Sequence, residues 1–169
     1  MAFPICDECA SSGTLCESCG EKVRKGEILE LDILLSSLLS YHNSKGYEKI
    51  AELPGKLVIF ASKEEAPQII GKGGCIAKEL SEKLGRRVIV IVKDWEPEII
   101  AKSLARPNRL LTINKVFKED GSEVLKLIFD NPLDEGTINL LKELLGEVEI
   151  DYKDEKDKYL RRVNRYGRR

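Results

Sequence analysis

Cysteines 6, 9, 16 and 19 stand in the pattern Cys-x2-Cys-x6-Cys-x2-Cys, a spacing that lets a short chain surround one soft metal ion. Each Cys-x2-Cys pair puts two sulfurs on one tight turn, and two such turns supply the four ligands of tetrahedral zinc at about 2.3 Å. The segment around them has few sizeable apolar residues, namely Phe3, Ile5, Leu15 and Val23, too little core to fold unaided. Metal would organise it, since structural zinc contributes on the order of 10 kcal/mol in small finger peptides. Four thiolates close the coordination shell against water and substrate. The sequence therefore predicts one structural Zn2+ on Cys6, Cys9, Cys16 and Cys19, in a zinc knuckle or ribbon over residues 1–25. Two other readings stay open: unligated thiols, and a redox dithiol, which is weakened because neither pair sits at the strand-to-helix junction of a βαβ unit.

The second chemical signal is Gly71-Lys72-Gly73-Gly74. Glycine permits positive φ and removes the side chain that would hold a phosphate away from the main chain. A helix that follows presents its first N–H groups and positive dipole end to the same anion. Lys72 adds a mobile charge at the tip. Other phosphate motifs fit worse. Walker A needs a Gly five residues before Gly-Lys and a Ser or Thr after it, where Ala66 and Gly73 stand. The dinucleotide pattern Gly-x-Gly-x-x-Gly fails at Ile76. The bland alternative is a plain helix-helix turn.

The elements that position these residues follow from periodicity. Gly26 to about Asn43 predicts a helix, with Ile28, Leu31, Leu34, Leu35, Leu38 and Leu39 at helical spacing. A short strand from Tyr47 to Leu53, the turn dipeptide Pro54-Gly55 and a buried strand from Lys56 to Ala61 predict a hairpin. Glu65 to Ile70 fits a short helix, since Pro67 is tolerated in a first turn. After the Gly-rich loop, Cys75 to Leu84 predicts a helix closed by Gly85 in a left-handed cap. Val88 to Val92 is apolar throughout, as in a strand covered on both faces.

Ile69-Ile70-Gly71-Lys72-Gly73-Gly74-Cys75-Ile76 resembles the (Ile/Val)-Ile-Gly-x-x-Gly signature of KH domains, and the order αββααβ is that of the type II subclass, as in the transcription elongation factor NusA. The resemblance covers residues 26 to about 93. With the four-cysteine segment added, the chain is similar to small NusA-like KH proteins of archaea. The resemblance implies a loop that clamps about four nucleotides of single-stranded RNA while the bases lie in an adjoining apolar groove. Its expected RNA contacts are Ile70, Gly71, Lys72, Gly73, Gly74, Ile76, Lys78, Arg86 and Arg87, with Ile89 in the groove floor. Residues 71–87 hold five basic groups, these four and Lys83, against Glu79 and Glu82, a local balance of +3.

Beyond Trp95, expected to pack at the junction of two units, the order nearly repeats. A helix from Glu96 to Ala105, strands Leu110–Phe117 and Val124–Phe129, a helix Glu135–Leu145 and a strand Val148–Tyr152 are predicted. The short helix and Gly-rich loop are replaced by Asn131-Pro132-Leu133-Asp134-Glu135-Gly136, whose acids would repel phosphate. The expectation is an α+β protein with four parts: the four-cysteine segment 1–25, a type II KH domain 26–94, a degenerate KH-like αββαβ unit 95–152 without its clamp, and a basic tail 153–169. Residues 153–169 carry eight basic against three acidic side chains, so the tail is +5 and the remainder −6 within a net charge of −1. Arg161, Arg162, Arg165, Arg168 and Arg169, interleaved with Tyr159 and Tyr166, are candidate phosphate contacts.

With 42% hydrophobic and 34% charged residues, the composition is that of a globular protein, neither disordered nor membrane-spanning. The start of the chain has no signal-peptide character, so a cytoplasmic location is expected, where reduced cysteines bind metal rather than pair. No Ser/His/Asp, Cys/His or paired-carboxylate set supports catalysis, so no enzyme is expected. His42 and Cys75 read as ordinary surface and helix residues. The functional expectation is an RNA-binding accessory factor whose single-stranded partner is ribosomal RNA or a nascent transcript, acting on the ribosome or RNA polymerase. A protein-interaction adaptor on the same machines is the alternative, and a cysteine redox protein a third.

Overall fold

The computed structural model describes residues 3–118 and 121–153, so the tail arginines Arg161, Arg162, Arg165, Arg168 and Arg169 lie outside the described residues. The chain divides into two compact units, 1–96 and 97–169.

In the first unit the four-cysteine segment forms helices α1 (Asp7–Ser12) and α2 (Glu17–Arg24), followed by α3 (Glu30–Tyr41). The expected knuckle or ribbon is corrected to a helical pair. A Cys-x2-Cys spacing also matches the first turn of a helix, whose first and fourth positions lie on one side. Helix α3 begins later than its apolar spacing suggests, because Gly26 sits at φ +72° and Leu29 is extended. The Asp32 carboxylate accepts the Leu29 N–H at 2.7 Å and fixes the helix start there.

Strands β1 (Lys49–Leu53) and β2 (Lys56–Phe60) form the expected antiparallel hairpin, Leu53 opposite Lys56 around Pro54-Gly55. Helix α4 (Ala66–Ile70), a 3-10 turn over Lys72–Gly74, α5 (Cys75–Leu84) and β3 (Arg87–Ile91) follow. The sheet order is β1-β2-β3, with β3 parallel to β2 and Phe60 beside Ile91. Strands β2 and β3 are buried on both faces: Leu57, Ile59, Val88 and Val90 join Leu35 and Leu39 of α3, Ile69 of α4 and Leu80 of α5 in one cluster. Each such side chain contributes about 1.5–3 kcal/mol by leaving water. Val58, Phe60, Ile89 and Ile91 alternate to the opposite face and are also buried.

Inside the cluster, the Tyr47 hydroxyl donates to Asp32 Oδ1 at 2.7 Å and lies 3.2 Å from Ser36 Oγ. The Phe3 ring meets Tyr47 edge-on at 6.0 Å. Trp95 packs against this same cluster.

The second unit runs α6 (Pro97–Ala105), β4 (Leu110–Phe117), β5 (Glu123–Phe129), α7 (Glu135–Leu145) and β6 (Val148–Tyr152). Its sheet order is β4-β5-β6, with β4 antiparallel and β6 parallel to β5. The two sheets thus share strand order and directions, and Phe129, paired with Tyr152, is as fully buried as Phe60. Asp134 caps α7, its carboxylate accepting the Thr137 N–H at 2.8 Å and the Thr137 hydroxyl at 2.7 Å. Among the described residues no helix is long and apolar enough to cross a membrane.

Candidate functional site

Cys6 and Cys16 are the extended residues that open α1 and α2, at φ −69° and −74°, and Cys9 and Cys19 lie one turn inside. The carbonyls of Cys6 and Cys16 accept from Ala10 and Gly20, both at 2.9 Å. The two halves are therefore near copies. They also interlock: the Cys16 N–H donates to Cys9 Sγ at 3.0 Å and the Cys6 N–H to Cys19 Sγ at 3.4 Å. All four sulfurs lie within 4.8 Å of one another, and Cys6 and Cys16 are 3.8 Å apart. A tetrahedral ion with ligands at about 2.3 Å needs sulfurs about 3.8 Å apart, so the donor set fits one metal ion.

The electrostatics agree. The main-chain amide of Cys19, then the thiols of Cys9 and Cys19, bring the Cys16 thiol down to about 7. The amide of Cys16 pulls the Cys9 thiol down, but burial and the neighbouring sulfurs outweigh it and push it up to about 12. Four sulfurs this close cannot all be thiolates unless a cation sits among them. Cys9 and Cys19 are buried with Ile5, Ala10 and Ile28, and Phe3 and Val23 pack against them.

The bend from α4 to α5 is open to solvent at Lys72 and Gly73. Gly71 is fixed as glycine twice over. Its φ is +75°, and a Cβ there would lie 2.7 Å from Ile76 Cγ1 and 2.9 Å from Cys75 Sγ. A Cβ on Gly73 or Gly74 would meet nothing within 4 Å. The expectation that the opening amides of α5 stand unsatisfied needs correcting. Gly74 donates to Gly71 O at 3.1 Å and Cys75 to Lys72 O, closing the 3-10 turn. Gly71 N–H is likewise taken by Pro67 O at 2.9 Å. The tip, Lys72 and Gly73, is the part an anion can reach.

Ile70 and Ile76 flank the bend and pack, partly buried, against the helix-facing side of the sheet. Ile89 does not join them, because strand alternation turns it to the opposite face, away from Val88 and Val90. An unbroken β-branched run gives no sign of which residues face which way. The basic groups are also less free than their count suggests. Arg86 pairs with Glu52, Lys83 with Glu79 at 2.7 Å and Lys78 with Glu82 at 4.0 Å. Lys83, and then His42 at 3.2 Å, hold Glu79 below the usual carboxylate range. Arg87 is exposed at the head of β3.

No family model matches the chain, and no curated protein matches it. The crystal structure of APE1850 is similar to it at 23% sequence identity, covering 70% of this chain and 94% of that chain, with a TM-score of 0.41.

Two features of the site escaped sequence reasoning. The crossed N–H to sulfur bonds depend on which main-chain amides the helix starts expose, and only the matched spacing of the two Cys pairs hinted at it. The His42 to Glu79 contact joins the end of α3 to α5, and a lone histidine in sequence carries no sign of that.

Proposed function

We propose that this protein is an RNA-binding accessory factor whose first unit is a type II KH domain, gripping the backbone of single-stranded RNA at the bend 71–74 beside one structural zinc ion. The bend carries the reading. It joins two helices, its first glycine cannot hold a side chain, and Lys72 and Gly73 project into solvent. A phosphate would meet the Lys72 ammonium and the tip amides, while Ile70 and Ile76 offer apolar surface to a base. Arg87 adds an exposed positive charge at the head of β3, beyond the far end of α5.

The four-sulfur set suits zinc, which tolerates a closed tetrahedral thiolate shell and would supply structural cohesion only. The second unit reads as a degenerate repeat. Its sheet has the same order and directions, and the Asp134 carboxylate caps the α7 terminus. In this reading the protein works in the cytoplasm, on ribosomal RNA or a nascent transcript, docked on the ribosome or RNA polymerase.

The test is fluorescence anisotropy with single-stranded RNA. The Lys72→Asp/Gly73→Asp double variant should lose at least about tenfold in affinity with unchanged circular dichroism, since Asp tolerates a left-handed backbone and the Gly73 position is open. With about four phosphates engaged, the log-log salt slope should be near roughly −3. A folded double variant with wild-type affinity refutes the clamp.

One observation favours the adaptor as second reading: Lys83 and Arg86 are each paired with a carboxylate. Partner capture that survives both nuclease treatment and the double variant would support it.

A further inference from the structure

The four-cysteine segment does more than enclose its sulfurs. The loop between the two cysteine pairs, together with α2, forms one wall of a groove of 410 Å³, and α3 forms the other. Leu15 and Val23 line the first wall, Ile33 and Leu34 the second, and Glu30 stands at one end. Leu34 is 50% exposed and Leu15 38%, so two leucines meet water within a single concavity. Isolated exposed leucines are ordinary, but a contiguous apolar concavity is the usual mark of a binding surface.

We infer that this groove docks a basic amphipathic helix of a partner protein. Helical shape follows from the walls. No strand borders the groove, so there is no main-chain edge on which an extended peptide could pair. Two helical ridges leave a channel that takes apolar side chains at i, i+3, i+4 and i+7 of a third helix. The volume suits about three or four leucine-sized side chains, within the common range for binding clefts.

The basic character follows from charge. Residues 1–37 carry seven acidic groups (Asp7, Glu8, Glu17, Glu21, Glu27, Glu30 and Asp32) against three basic ones (Lys22, Arg24 and Lys25), a net of −4. Of the acids only Asp32 is buried, so six face solvent. Opposite charge steers association and rejects acidic partners. The sign is opposite to that wanted by RNA, so this surface and the bend serve different ligands, and the inference stands without the RNA reading.

The experiment titrates the full-length protein into a labelled leucine-lysine peptide of about 18 residues, patterned as an amphipathic helix, and follows anisotropy near physiological salt. Controls are a leucine-glutamate version and a scrambled leucine-lysine version. Saturable binding by the patterned lysine peptide is expected, at least about tenfold weaker for Leu34→Asp and weaker also for Glu30→Lys. Leu34 is half exposed, so Asp there leaves folding intact, and circular dichroism checks it. The Lys72→Asp/Gly73→Asp variant should bind the peptide as wild type does. Absence of saturable binding, equal affinity for the glutamate or scrambled peptide, or indifference to Leu34→Asp overturns the proposal. So does a concentration-dependent dimer that Leu34→Asp abolishes, because a second copy would then be the occupant.

Discussion

The Cys16 N–H points at Cys9 Sγ, 3.0 Å away, and so ties the second cysteine pair to the first before any ion is considered. Its counterpart, Cys6 N–H on Cys19 Sγ, closes the same link in the other direction. Amides aimed at sulfur favour thiolate over thiol. The expected consequence is one tightly held divalent ion per chain, measured by elemental analysis of protein purified without added metal. Cys9→Ser should remove a buried thiolate ligand and so abolish stoichiometric metal.

Metal retention should fall with acidity. Ligands bind as thiolates, so protons compete with the ion and affinity drops as pH falls. The Cys16 thiol, held near 7 without metal, is already largely ionised at mildly alkaline pH, whereas Cys9, pushed up to about 12, loses its proton to solvent only as the ion binds its sulfur. Titrating apo protein with zinc in weak buffer should therefore release protons, with fewer released at pH 8 than at pH 6.5 as Cys16 arrives ionised. Proton release that does not change over this range would contradict the Cys16 environment.

The two glycines of the bend differ in steric demand. Gly71→Ala forces a Cβ into Ile76 and Cys75 at a left-handed φ and should destabilise the first unit by about 2–4 kcal/mol in chemical denaturation. Gly73→Ala carries the backbone penalty alone, about 1–2 kcal/mol, because its Cβ meets nothing. Equal losses would mean that the close approach at Gly71 is relieved by a shift of Ile76.

How much of this could be read from the residues differs from place to place. Helix α5 and strands β4 and β6 run where their apolar spacing and glycine stops place them, because those signals are local. The shared strand order is marked by Phe60 and Phe129, each fully buried at the end of the middle strand of its sheet. Three things were hidden. Cys-x2-Cys fits a tight turn and a helix start equally well, so α1 and α2 were missed. The face of Ile89 was ambiguous in a run of apolar residues. Ion pairs such as Arg86 with Glu52 join residues far apart in sequence, and no composition count foretells them.

Tyr47 should make the protein sensitive to alkali. Burial, opposed by Ser36 and reinforced by Asp32, raises its phenol well above the ordinary tyrosine value. A raised folded value means the neutral form is favoured on folding. Its stabilising contribution is complete below the unfolded tyrosine value of about 10 and is lost as pH rises beyond it. Urea midpoints should fall between pH 9.5 and 11. Tyr47→Phe should weaken this dependence while costing about 1–3 kcal/mol at pH 7, since Asp32 Oδ1 loses its 2.7 Å donor in a buried site.

Asp134 tests the second unit in the same way. Its carboxylate spans the first turn of α7 through both the amide and the hydroxyl of Thr137, so Asp134→Ala should destabilise the second unit by about 1–2 kcal/mol. The unit also lacks the glycine bend that would bring main-chain amides up to a phosphate, and removing the acid does not create one. Under the RNA-binding proposal, the RNA affinity of Asp134→Ala should thus equal that of the wild type, measured by the anisotropy titration used for the bend variants. A gain of several-fold would mean that the capped terminus is a masked phosphate site.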